Sequence, residues 1–86
     1  MYTVEYSVEA AHELRLLDRS VARPIYKKIE WLAENFEMIE PNWLRGDLAG
    51  FAKFRAGDYR VIYEPDSSRR VILVQSIGHR SGVYKR

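Results

Sequence analysis

The 86-residue chain contains no cysteine. That excludes disulfides and thiolate metal sites, and it fits a reducing cytoplasm. Two histidines are too few to suggest a zinc site. No apolar run approaches the roughly 20 residues needed to cross a bilayer. Val71-Ile72-Leu73-Val74 reads instead as a buried strand. Met1-Tyr2-Thr3-Val4-Glu5 lacks the basic and then apolar pattern of a signal peptide. The expectation is a cytoplasmic protein with no membrane partner. Glycine is sparse, and no Gly-rich phosphate loop exists: Gly46, Gly50, Gly57, Gly78 and Gly82 fit turns and strand ends.

What is present suits one small globular domain over residues 1–86, since 47% of the residues are hydrophobic. The net charge of +2 hides an uneven distribution. Met1 to Trp43 carries five Lys/Arg and eight Asp/Glu, a net of −3. Leu44 to Arg86 carries nine Lys/Arg and four Asp/Glu, a net of +5. A basic half is the expected footprint of a polyanion-binding face, although scattered solvated charges would give the same totals.

Tyr2, Val4, Tyr6 and Val8 alternate with Thr3, Glu5 and Ser7, which predicts a half-buried first strand. Ala11, Leu14 and Leu17, with Ala10 beside them, fit one face of a short helix that breaks at Asp18-Arg19-Ser20. Ile25, Ile29, Leu32 and Phe36 form the stripe of a second helix. Pro24 should lie in or near its first turn, because a deeper proline removes a hydrogen bond and clashes. Glu37 to Gly46 reads as a connector with Pro41 and Asn42 as turn residues. Strands follow at Leu48 to Arg55, Tyr59 to Glu64 and Arg70 to Ile77, separated by turns at 56–58 and 65–68. Short linkers imply an antiparallel meander of three or four strands. The fold class is therefore α+β: an N-terminal strand, a helical hairpin, then an antiparallel sheet packed on the helices.

Arg60 lies opposite to Tyr59 and Tyr63 on its strand, and Lys53 and Arg55 share one face of theirs. Arg80 follows the glycine that ends the last strand. Guanidinium presents a fixed fork of donors to phosphate, so these four cations suggest a face for RNA or DNA. Taken singly, Arg60 reads as a solvent-facing arginine paired with Glu64 or Asp58 and Arg80 as a surface loop cation; it is the conjunction of the four that favours function. His79 is a candidate acid or base, or a histidine bonded to backbone at a strand end. His12 reads as structural or solvated. Trp31 and Trp43 read as core residues or partner-binding anchors.

Leu44-Arg45-Gly46, Lys53-Phe54-Arg55, Gly57-Asp58-Tyr59-Arg60-Val61-Ile62-Tyr63, Ile77-Gly78-His79-Arg80 and Val83-Tyr84 together resemble the RelE branch of the RelE/ParE toxin superfamily. The resemblance spans essentially the whole chain. It implies the toxin of a type II toxin–antitoxin pair, an mRNA interferase that cuts mRNA in the ribosomal A site. It implies no cofactor and no metal. Arg60 and Arg80 would bind the phosphate and stabilise the transition state, Tyr84 would orient the RNA and assist proton transfer, and Lys53 would join them. Arg55, His79, Arg45 and Lys85 would complete the substrate-binding set. The first of two basic residues on the preceding strand falls on Phe51, so this chain lacks it. That leaves the general base open, with Lys53 ahead of His79. The implied partners are a nearby-encoded RelB-like antitoxin, packed near Trp31 and Trp43, and the ribosome with its mRNA. DNA would be met only indirectly, through the antitoxin complex. A ParE-like gyrase inhibitor and a non-cleaving RNA-binding module remain as alternatives.

Overall fold

The N-terminal alternation forms strand β1 (Thr3–Tyr6), but its expected last member turns away. Val8 opens helix α1 (Val8–Arg15) and is exposed. The reason is Ser7, whose hydroxyl accepts from the Ala10 N–H at 2.9 Å and caps the helix there. The structure is a computed structural model that describes residues 1–79. Ala10 and Leu14 face the core from α1, while Ala11 and Leu17 are only partly buried.

Helix α2 (Arg19–Glu34) begins earlier than its apolar stripe suggests. Asp18 is its N-cap residue, and its carbonyl accepts from Val21 and Ala22, both at 2.9 Å. Pro24 consequently lies in the second turn rather than the first, where its ring removes the N–H that would bond to Ser20. Ser20 is exposed, so water can satisfy the carbonyl left over. Ile25, Ile29 and Leu32 are buried as the stripe predicts, joined by Ala22 and Ala33. Phe36 falls just beyond α2 in a short 3₁₀ turn and meets Tyr2 and Tyr63 edge-on, at 4.9 and 6.0 Å.

The expected connector contains a strand. Asn42 is not a turn residue but half of β2 (Asn42–Trp43), which pairs with β3 (Ala52–Ala56). Leu48 to Phe51 is not strand; a 3₁₀ turn at Gly46–Leu48 and Gly50 at φ +92° occupy that stretch. β4 runs Tyr59–Asp66 and β5 runs Val71–His79, each longer than the sequence predicts. The turn between them moves to residues 67–70. The Asp66 carboxylate anchors it by accepting from the Ser68 hydroxyl and from the Ser68 and Arg69 amides. Those bonds, with the Arg69 charge, hold the Asp66 carboxyl below its usual range.

Among the described residues the sheet has five strands in the order β1-β5-β4-β3-β2, and it is mixed rather than wholly antiparallel. β1 pairs parallel with β5, Thr3 opposite Val71 and Tyr6 opposite Val74. A parallel pair needs a long crossover, and everything from α1 to β4 separates these two strands. One bulge sets the phase of β5. Ile62 faces Ser76 but Tyr63 faces Val74, so Gln75 is the extra residue. That shift lets Ile72 and Val74 point at the helices along with Ile77, despite their odd spacing. The groups freed near the bulge find partners on the α1 side. Ser7 Oγ donates to the Gln75 carbonyl at 2.8 Å, and the Ile77 N–H donates to Glu13 Oε1 at 2.6 Å. The core lies between this inner face and the helices, around Ile29, Leu32, Val61, Tyr63, Ile72 and Val74.

Candidate functional site

The strand alternation that sends Ala52, Phe54 and Ala56 toward the helices sends Lys53 and Arg55 to the outer face. On β4 the same rule places Val61 and Tyr63 inward and Arg60 and Ile62 outward. Register then assembles the cations. Arg55 stands directly opposite Arg60, and Lys53 is flanked by Ile62 on one side and Asn42 on the other. Across the other edge of β4, Arg60 faces Gly78, which brings no side chain to crowd it. Asn42, Lys53, Arg55 and Arg60 line a pocket of about 220 Å³.

Two local features hold the site. The turn between β3 and β4 passes through Gly57 at φ +64°, a conformation glycine adopts without strain. Arg55 Nε donates to the Gly57 carbonyl at 3.1 Å, which fixes that guanidinium beside the turn. Arg60 Nη1 is buried and has no hydrogen-bond partner among the described residues. Neither Asp58 nor Glu64 forms an ion pair with it. No carboxylate lines the pocket. Like charges placed directly opposite one another destabilise a sheet, and an unpaired buried donor adds a desolvation penalty. An anionic oxygen in the pocket would relieve both.

The structure thus brings Lys53, Arg55 and Arg60 together. It adds Asn42, which sequence reasoning missed because a two-residue strand is shorter than any readable period. It does not bring in His79. That residue faces the helix side of β5, its ring edge-on to Tyr59 at 5.6 Å, because it is one residue past outward-facing Gly78. Arg45 is exposed at the start of the Gly46–Leu48 turn and does not line the pocket. Arg80, Tyr84 and Lys85 lie outside the described residues. Among the described residues no cluster of His, Asp or Glu could hold a metal ion, and no helix is long and apolar enough to cross a membrane.

A second surface lies on the other side of β3. Trp31 stacks on Phe54, with centroids 6.3 Å apart and planes at 14°, and Lys28 Nζ sits 5.9 Å from the Phe54 ring centre. Trp31 and Trp43 are each about half exposed, at 47% and 50%. On the same side of the sheet a largely apolar cleft of about 520 Å³ opens between Pro24, Ile25 and Lys28 on α2 and Ala56 and Tyr59 on the sheet.

Comparison with known proteins adds identity to this geometry. Residues 4–84 match the family described as the ParE toxin of the type II toxin–antitoxin system, parDE. Toxin RelG of Mycobacterium tuberculosis is 26% identical over 87 residues, covering 99% of this chain and 98% of that protein. The crystal structure of the isolated E. coli RelE toxin aligns with a TM-score of 0.76 at 31% identity, over 98% of this chain and 92% of that one. A chain of the toxin–antitoxin complex RelBE2 from Mycobacterium tuberculosis aligns with a TM-score of 0.81 at 25% identity, over 92% and 98%.

Proposed function

The chain belongs to the ParE toxin family of type II toxin–antitoxin systems, as a RelE-like member of the RelE/ParE superfamily, and we propose that it is a ribosome-dependent endoribonuclease that cuts mRNA in the A site and so stops translation. The observation that carries this reading is the buried Arg60 Nη1, without a hydrogen-bond partner among the described residues, in a pocket shared with Lys53 and Arg55. In the proposed reaction the 2′-oxygen of one nucleotide attacks the adjacent phosphorus. The bond from phosphorus to the 5′-oxygen breaks, leaving a 2′,3′-cyclic phosphate and a 5′-hydroxyl. Arg60 and Arg80 neutralise the charge that grows on the phosphoryl oxygens. Arg55 and Asn42 hold the backbone on either side of Lys53. Lys53 takes the 2′-hydroxyl proton as its neutral amine, becoming the ammonium, and Tyr84 orients the nucleotide and assists proton transfer to the departing oxygen. Arg45 and Lys85 extend the basic surface for the substrate. His79 has no part in the pocket. A lysine and a tyrosine are weak acid–base groups and make a poor nuclease on free RNA, so the substrate must arrive already held in line, as the ribosome would hold it.

The natural partner is a RelB-like antitoxin. Chains of RelBE complexes from Mycobacterium tuberculosis and E. coli align with this one at 25% and 30% identity. The half-exposed Trp31 and Trp43 and the apolar cleft between α2 and the sheet are the surface proposed for it.

Primer extension on mRNA from a translating extract tests the activity. Wild-type protein should give A-site cleavages, and Arg60→Ala should remove them. The description of the matched family as ParE, together with Phe51 in place of a basic residue, supports a second reading as an inhibitor of DNA gyrase. Intact mRNA alongside stalled gyrase–DNA cleavage complexes would decide for that reading.

A further inference from the structure

The acidic half of the chain carries a basic cluster that the proposed reaction does not use. Arg15 ends α1, and Arg19 and Arg23 stand on successive turns at the start of α2. With Leu14 and Tyr26 they line an open pocket of about 710 Å³ at the helical hairpin. Lys27 continues the row one turn further. None of these four cations forms an ion pair with a described residue.

Arg15, in the last turn of α1, suits the dipole of its own helix, but the three cations on α2 gain nothing from theirs. No acidic residue lies in the first turn of α2, where the helix dipole favours one, and Arg19 occupies its first position instead. Arg19, Arg23 and Lys27 follow one another at i, i+4 spacing, which places like charges side by side. Their disposition suits a ligand better than it suits the helix. A row of cations about 6 Å apart along a helix matches a continuous polyanion more closely than an isolated carboxylate. Guanidinium forks fit phosphate oxygens, and Tyr26, which is 41% exposed and edge-on to Tyr6, offers part of a ring for stacking.

We infer that Arg15, Arg19, Arg23 and Lys27 form a second polyanion site, which binds the phosphate backbone of folded RNA. The choice of RNA rests on the endoribonuclease reading above. The hairpin site lies on the helix layer, and the sheet pocket opens on the opposite face of the sheet. A short single strand seated in the pocket does not also reach the hairpin, whereas a large folded RNA can reach both. The hairpin site therefore sets how tightly the toxin docks on the ribosome, and it leaves the cleavage step unchanged.

Two variants of the full chain test this: Arg19→Glu, and the triple variant Arg15→Ala, Arg19→Ala, Arg23→Ala. Their affinity for ribosomes is measured across a salt series, and their cleavage rate under single-turnover conditions at saturating ribosomes. The triple variant should bind at least about tenfold more weakly, with a salt slope shallower by about two to three, and cleave at the wild-type rate. Arg19→Glu should melt at a higher temperature, since it repairs the helix start and pairs with Arg23, and yet bind more weakly. That opposition of sign separates binding from a structural role. Unchanged ribosome affinity in the triple variant overturns the inference. Unchanged ribosome affinity with weakened antitoxin binding overturns it in favour of an acidic peptide partner. A wild type that binds ribosomes with a steep salt slope lost in the triple variant, yet cuts no mRNA, refutes the nuclease reading and leaves the hairpin site standing.

Discussion

Arg60 carries opposing demands from stability and function. It faces Arg55 across the strand pair, and its Nη1 is buried without a partner among the described residues. Replacing it with leucine removes the repulsion and the unpaired donor while keeping an apolar stem beside Ile62. Arg60→Leu should therefore leave stability unchanged or raise it by about 1 kcal/mol in urea unfolding. The same variant should lower mRNA cleavage by about a hundredfold or more, as loss of a transition-state donor does. A clear loss of stability would mean that Arg60 holds the sheet together, and its assignment to substrate would weaken. The face on which Arg60 lies was legible from alternation alone, because Val61 and Tyr63 need the core. Its company was not. Whether Lys53, Arg55 and Arg60 converge depends on register, and register is fixed by the tight turn at Gly57 and by pairings distant in sequence. His79 shows the converse: its type suggests chemistry, and a single step of strand parity removes it from the pocket.

At the scale of elements, the long periodic segments were readable and the irregular ones were not. The stripe of Ile25, Ile29 and Leu32 announces α2, yet its start lies five residues before Pro24 because Asp18 accepts the first amide hydrogen bonds. β2 escaped because two residues carry no period. The parallel pairing of β1 escaped because it joins chain ends that no local signal connects. The bulge at Gln75 is a further case, since it explains why Ile72, Val74 and Ile77 can share a face although two intervals of different parity separate them. Glu13 is central to it, because its carboxylate accepts the Ile77 N–H across 64 residues of sequence. Glu13→Ala should strand that part-buried amide and cost about 1–3 kcal/mol in chemical denaturation. Glu13→Gln keeps an acceptor and should recover most of the loss. If the alanine variant is as stable as wild type, the bulge is held by Ser7 and packing alone.

The whole molecule is small, and so its stability is a narrow margin that a few buried groups control. Two tyrosines tie that margin to pH. Tyr63 is almost wholly buried at the centre of the core, and burial pushes its phenol up from 10.0 to about 12. Burial likewise raises Tyr6 to about 12, and the negative charge that neighbouring Tyr26 and Glu30 can carry adds to the shift. In both cases the folded chain favours the neutral phenol. The stabilisation is then fully present below pH 10, where the unfolded tyrosine is also neutral, and is lost as pH rises from 10 toward 12. Urea unfolding measured from pH 8 to 12 should show a plateau followed by a decline over those last two units. Tyr63→Phe cannot ionise, so at Tyr63 it removes one of the two contributions and should flatten the decline. Tyr6→Phe combined with it should flatten the curve further. Because Tyr63 sits in the core shared by sheet and helices and Tyr6 packs against it, the decline should be seen together by tryptophan fluorescence and by far-ultraviolet circular dichroism. A decline of equal steepness in the double phenylalanine variant would assign the alkaline limit to other groups, and the buried phenols would then be bystanders to it.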